Sequence, residues 1–320
     1  MVKVKKYIDS RILNRAQISR ILDHVVREYT ERSDIQKLDE IDVYVTKDPL
    51  RVSKKIFSEA KLERYGELKD WILSATPHFS YWERGKVPII LINANEKIFK
   101  DNNWEAVRGL VAHELIHILN KMDGIEETLE EQLKKASTSI YDILKKHREV
   151  PPFTKDRLYS SLIKVTTTAS LIIKDILANT RAMSFGFDEQ IFENYRVVLE
   201  DAKLIRFSEK DIVRALKKGD KSALDDVFLA YIGINSTWIT FKMFHNKWYR
   251  ELQELSDLEI PEIMKEYSKP LFDEMMKLRS TKRKRETLKI LVMTQQIYYN
   301  LVKYFSHKLE INKGKHKKVK

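Results

Sequence analysis

The residues best equipped for chemistry in this chain are His113-Glu114-Leu115-Ile116-His117, two imidazoles and a carboxylate within one short run. On a helix, residues four apart are separated by about 40° around the axis, so His113 and His117 project side by side and can both reach one metal ion at ~2.0–2.1 Å. Glu114 lies on the same flank, where it can approach a water beside the metal, the position a general base requires. With eight histidines in 320 residues, a chance His-Glu-x-x-His has a probability of roughly 1–2%. The competing reading is two packed or solvated histidines with an incidental glutamate.

A catalytic zinc takes three protein ligands and keeps a position open. The chain contains no cysteine, which excludes disulfides, thiolate metal sites and cysteine nucleophiles, so the third ligand must be His, Asp or Glu. No histidine follows His117 at short range, where the chain reads Ile-Leu-Asn-Lys-Met-Asp-Gly. Further on stands Asp175-Ile-Leu-Ala178-Asn179-Thr-Arg-Ala182, and helical spacing places Asp175, Ala178, Asn179 and Ala182 on one face. Glu126, Glu127, Glu130, Glu131, Asp142 and His147 are the rival ligands.

These two segments resemble the gluzincin metallopeptidases, in which a downstream helix adds a carboxylate to the His-Glu-x-x-His pair. The pattern is nearest to the group of heat-shock membrane peptidases and CAAX-prenyl endopeptidases, whose second helix reads Glu-x-x-Ala-Asp-x-x-Ala. This chain keeps the spacing and changes two letters, over little more than a dozen residues. The resemblance implies zinc-dependent hydrolysis of a peptide or protein substrate, with Glu114 as base and Asp175 as third ligand. Asn179 then stands where the family has an aspartate that orients a ligand histidine; an amide oxygen accepts the same hydrogen bond but adds no charge. An edge strand in such enzymes binds an extended peptide through the main chain, and Asn93-Ala94 is similar to a pair used there. The resemblance looks to the C-terminal region for the group that stabilises developing negative charge, where Arg181, Tyr195 and His245 are candidates, as are Arg196 and Tyr231.

The elements that must position these residues follow from hydrophobic spacing. Ile12 to Val26 has helical periodicity after the cap signal Asp9-Ser10, and Ile41 to Val45 alternates like a strand. A helix is expected from about 50 to 74, broken by Thr76-Pro77, and Val87 to Asn93 is the clearest strand. Val107, Leu110, Val111, Leu115, Ile118, Leu119 and Met122 mark the helix that carries the two histidines, with Asp123-Gly124 ending it. Everything beyond reads as helix, with segments from Glu126 to His147, Thr154 to Ser184, Asp188 to Lys203, Ser208 to Lys218, Ala223 to Leu255, Pro261 to Leu278 with a break or kink at Pro270, and Lys284 to Phe305. The expected fold is α+β and predominantly α, a small mixed N-terminal sheet followed by a helical bundle. Residues 1–150 would form the metal-helix part, 151–305 the helical part supplying the third ligand, and 306–320 a basic flexible tail.

Hydrophobic residues make up 43% and charged residues 33%, an ordinary globular mixture that excludes wholesale disorder. The net charge of +12 lies almost entirely beyond Arg279, where Lys and Arg far outnumber Glu286 and Glu310. That asymmetry describes a tail, either solubilising or a tether to nucleic acid, and not the body of the protein. Heavy Lys and Glu use also suits a thermophile. The run Leu162 to Leu177 is interrupted by Lys164 and Lys174 and falls short of the ~20 apolar residues that span a bilayer. The opening Met-Val-Lys-Val-Lys-Lys lacks a secretory core, so the expected location is cytoplasmic, without membrane insertion. Two other readings remain: a non-catalytic metal-binding or scaffolding protein with a degenerate zincin-like site, and a nucleic-acid-associated protein acting through the tail.

Overall fold

The computed structural model describes residues 2–32, 38–59, 78–149, 152–202, 206–220, 222–278 and 284–317. The expected helix beyond residue 59, the Thr76-Pro77 break and the start of the basic run at Arg279 lie outside these residues. The fold is α+β and predominantly helical, with one small mixed sheet near the N-terminus. It divides into two compact units, Met1–Gly124 with Arg181–Val197, and Ile125–Thr180 with Val198–Lys320. The division differs from a single boundary near 150, because the second unit begins just after Gly124 and the first takes in a later segment.

In the first unit the order is β1 (Lys3–Ile8), α1 (Arg15–Arg32), β2 (Glu40–Thr46), α2 (Pro49–Glu59), β3 (Phe79–Tyr81), β4 (Ile89–Asn93), α3 (Lys97–Lys100) and α4 (Trp104–Met122). The sheet runs β1-β2-β4-β3, with β1, β2 and β4 parallel and β3 antiparallel to β4 in the register Phe79 to Leu91 and Tyr81 to Ile89. Strand β2 buries Ile41, Val43 and Val45 in alternation, whereas every residue of β4 is buried, as an interior strand covered on both faces requires. The lysines of β1 are what an edge strand carries to discourage further pairing, and they hide the strand from a hydrophobic scan. Helix α1 packs on α4 through Tyr29, whose hydroxyl donates to the Ala112 carbonyl at 3.3 Å and whose ring stacks on Phe187 at 4.9 Å.

The second unit is helical, with α5 (Ile125–Lys146), most of α6 (Lys155–Ser184), α8 (Glu209–Lys217), α9 (Ala223–Met243), α10 (Tyr249–Leu255), α11 (Glu262–Met275) and α12 (Lys284–Lys317); α7 (Asp188–Ala202) falls largely in the first. Its core contains two paired polar groups, at Asp225 and at Gln295. The buried Asp225 carboxylate accepts from Arg157 at 2.6 Å, from Ser161 at 3.1 Å and from the Tyr298 hydroxyl, the pairing that a charge removed from water needs. The Gln295 amide donates to the Ala136 carbonyl at 3.0 Å and to Thr166 Oγ1 at 2.9 Å.

Three expectations are corrected. Ala223 to Leu255 is two helices, because Phe244 ends α9 in a Schellman turn: His245 takes φ +50°, and the Asn246 amide donates to the Phe241 carbonyl at 2.9 Å. Helix α12 continues to Lys317, so the expected flexible tail from 306 begins inside a helix. Pro270 lies within α11, which runs unbroken from Glu262 to Met275. Among the described residues no helix is long and apolar enough to cross a membrane.

Candidate metal centre

Helix α4 is fixed at both ends by its own sequence. Asn103 caps the start, its side chain accepting from the Ala106 amide at 3.1 Å, and Gly124 at φ +72° turns the chain away after Asp123. Ala106, Val107, Leu110, Val111, Leu115 and Ile118 are buried along it. Gly109 permits a close approach: a Cβ there would lie 2.1 Å from the Gln190 carbonyl oxygen of α7. With α4 so clamped, its polar exceptions are held in place.

Those exceptions are His113, Glu114 and His117. The two Nε2 atoms lie 3.0 Å apart and the rings meet edge to face at 4.6 Å between centroids. Two nitrogens at ~2.0–2.1 Å from a tetrahedral ion stand about 3.3 Å apart, so the pair is already aimed at a common point. Glu114 is buried and separate from that pair.

Asp175 completes the group. One ligand atom each from His113, His117 and Asp175 lies within 4.8 Å of the others, and all three side chains are partly buried; this is the one such group of three among the described residues. Asp175 stands on α6, a continuous helix whose last turn belongs to the first unit. There the Arg181 guanidinium donates to Asn120 Oδ1 at 3.0 Å and pairs with Asp123 at 2.8 Å. Six residues of helix, about 9 Å, connect that anchor to Asp175. The set of two imidazoles and one carboxylate, with a single side chain each, fits a catalytic zinc site that keeps a coordination position for solvent or substrate. Asn179, one turn after Asp175, is buried, and Ala178 and Ala182 are fully buried. The rivals Glu127, Glu130, Glu131, Asp142 and His147 join no such group, and Glu126 is outside the described side chains.

Other expected residues are placed elsewhere. Asn93 pairs with Thr46 of β2, and Ala94 follows the end of β4, whose other side is covered by β3 from Ile89 to Leu91. The Ala94 amide donates to the Thr46 carbonyl at 2.8 Å and the Asn93 amide to His78 Nδ1 at 3.2 Å. Among the described strands β1 and β3 flank the sheet, and β3 is a three-residue Phe-Ser-Tyr segment too short to register as a pattern. Arg181 is occupied in anchoring α6, and His245 is the exposed left-handed residue of the α9 turn. Tyr231 packs against Phe272 at 5.6 Å, with burial pushing its pKa up to about 12. Arg196 pairs with Glu193 at 2.8 Å, beside the half-buried Tyr195 on α7.

One residue went unnoticed in the sequence. His78 stands directly before β3, partly buried, and its pKa is pushed down to about 4, first by burial and then by the proximity of His113. A lone histidine 35 positions upstream of its neighbour offers no local signal. No known protein family, curated protein or solved structure matches the chain.

Proposed function

We propose that this chain is a cytoplasmic, zinc-dependent peptidase that uses Glu114 as its general base. The observation that carries the reading is the convergence of His113, His117 and Asp175 within 4.8 Å, achieved by residues from two helices far apart in sequence. A zinc ion bound there would supply Lewis-acid polarisation of the scissile carbonyl and acidify a water molecule. Glu114, buried on the flank of α4, takes the proton of the attacking water and passes it to the leaving amine. His113, His117 and Asp175 hold their places because α4 is capped and α6 is anchored at Arg181. The step from hydrolase to peptidase rests on the resemblance to gluzincins.

Metal analysis of purified protein, with a casein-cleavage assay, tests the reading. Wild type is expected to hold one zinc per chain, and Asp175→Ala clearly less. Glu114→Gln is expected to keep the metal and lose on the order of 10²–10⁴-fold in rate. Full turnover by Glu114→Gln, or equal zinc in Asp175→Ala, rejects the assignment.

A further inference from the structure

His78 has its tautomer set by the fold. Its Nδ1 accepts from the Asn93 backbone amide at 3.2 Å, and an amide N–H can only donate, so Nδ1 carries no proton. The neutral ring therefore has its proton on Nε2. A protonated nitrogen cannot ligate a metal, and His78 is not one of the clustered ligand atoms. Its remaining capacity is to donate one hydrogen bond.

The neighbourhood of that donor follows from how β3 lies on α4. Lys121 Nζ of α4 sits over the Tyr81 ring of β3, 5.1 Å from its centroid. From Tyr81 back to His78 the strand covers about 10 Å, and from Lys121 back to His113 the helix covers about 12 Å. The Lys121–Tyr81 contact seats this strand on the helix that carries the imidazole pair, and the electrostatic effect of His113 on the ring places His78 near that pair. Among the described residues the Asn93 amide is the one hydrogen-bond partner of the ring.

We propose that His78 is a catalytic residue, a neutral imidazole donating from Nε2 to the carbonyl oxygen of the substrate held at the His113, His117 and Asp175 centre. The proposal rests on the metallohydrolase reading. As the carbonyl is attacked its oxygen gains negative charge, and a fixed neutral donor then binds it more strongly than it binds the ground state. The role falls to the N-terminal sheet, whereas the family resemblance looks for it in the C-terminal region. A neutral donor also leaves the charge of the metal centre unchanged.

The test uses full-length protein loaded with Co2+, whose visible absorption reports its surroundings, titrated with acetohydroxamate as a carbonyl-bearing probe. For His78→Ala, or for His78→Phe should the smaller side chain impair folding, Co2+ affinity is expected to stay within about twofold of wild type. Acetohydroxamate affinity is expected to fall on the order of tenfold, the loss of one hydrogen bond to a charged acceptor. His78→Gln, which can both accept from the Asn93 amide and donate, is expected to retain much of it. Equal probe affinity in wild type and variants overturns the proposal. A parallel collapse of Co2+ affinity also overturns it, by making His78 a ligand or a prop. Failure of wild type to take up Co2+ is a separate result, which removes the metal centre itself and His78's role with it.

Discussion

At the scale of single residues, the centre depends on which atom of each side chain is free to act. His113 and His117 turn Nε2 to one point, 3.0 Å apart, while His78 is committed at Nδ1 to the Asn93 amide. Burial of His78, with His113 nearby, has a pH consequence. The folded pKa of His78 is about 4 against an ordinary 6.5, so between these values the unfolded chain binds a proton that the folded chain refuses. Stability from this group is therefore complete above pH 6.5 and is lost as pH falls toward 4. In urea unfolding of metal-free protein, wild type is expected to lose stability relative to His78→Phe across that window; a constant difference would contradict it. The His-Glu-x-x-His motif was readable because its chemistry is local to one helix turn. Its companion at position 78 was not, because the hydrogen bond that defines it comes from a neighbouring strand.

Elements decide whether those residues can meet. Helix α4 approaches α7 through Gly109, where a methyl group would stand 2.1 Å from the Gln190 carbonyl oxygen. Backbone cannot retreat as a flexible side chain can, so Gly109→Ala is expected to destabilise the fold by about 1–3 kcal/mol, outweighing the gain in helix propensity. Thermal unfolding measures it, and an unchanged or higher Tm would refute the contact. The existence of α4, α5 and α6 was legible in apolar spacing, as was β4. Strands β1 and β3 were not, one masked by its lysines and the other by its three-residue length. Missing β3 left one side of β4 unassigned: β3 pairs with Ile89 to Leu91, and beyond it the Asn93 amide donates to His78 Nδ1.

For the whole molecule, a metal bound by both α4 and α6 is present only when the chain is folded, so zinc should stabilise it by mass action. At free zinc of 100 times the dissociation constant the gain is about 2.7 kcal/mol, read as a higher Tm in wild type and as a much smaller rise in Asp175→Ala. Equal shifts in both would mean that the aspartate does not bind. The sequence by itself determined the helical character and the one-turn spacing of His113 and His117, and it pointed to Asp175 by resemblance and helical facing, the three residues that cluster in the fold. These depend on periodicities that a single helix expresses. Only the tertiary structure decided that β1 and β3 flank the sheet, that Arg181 pairs with Asn120 and Asp123, and that His78 is held at the Asn93 amide. Those facts arise from hydrogen bonds and packing between segments distant in the chain, and the order of residues does not display such contacts until the chain has folded.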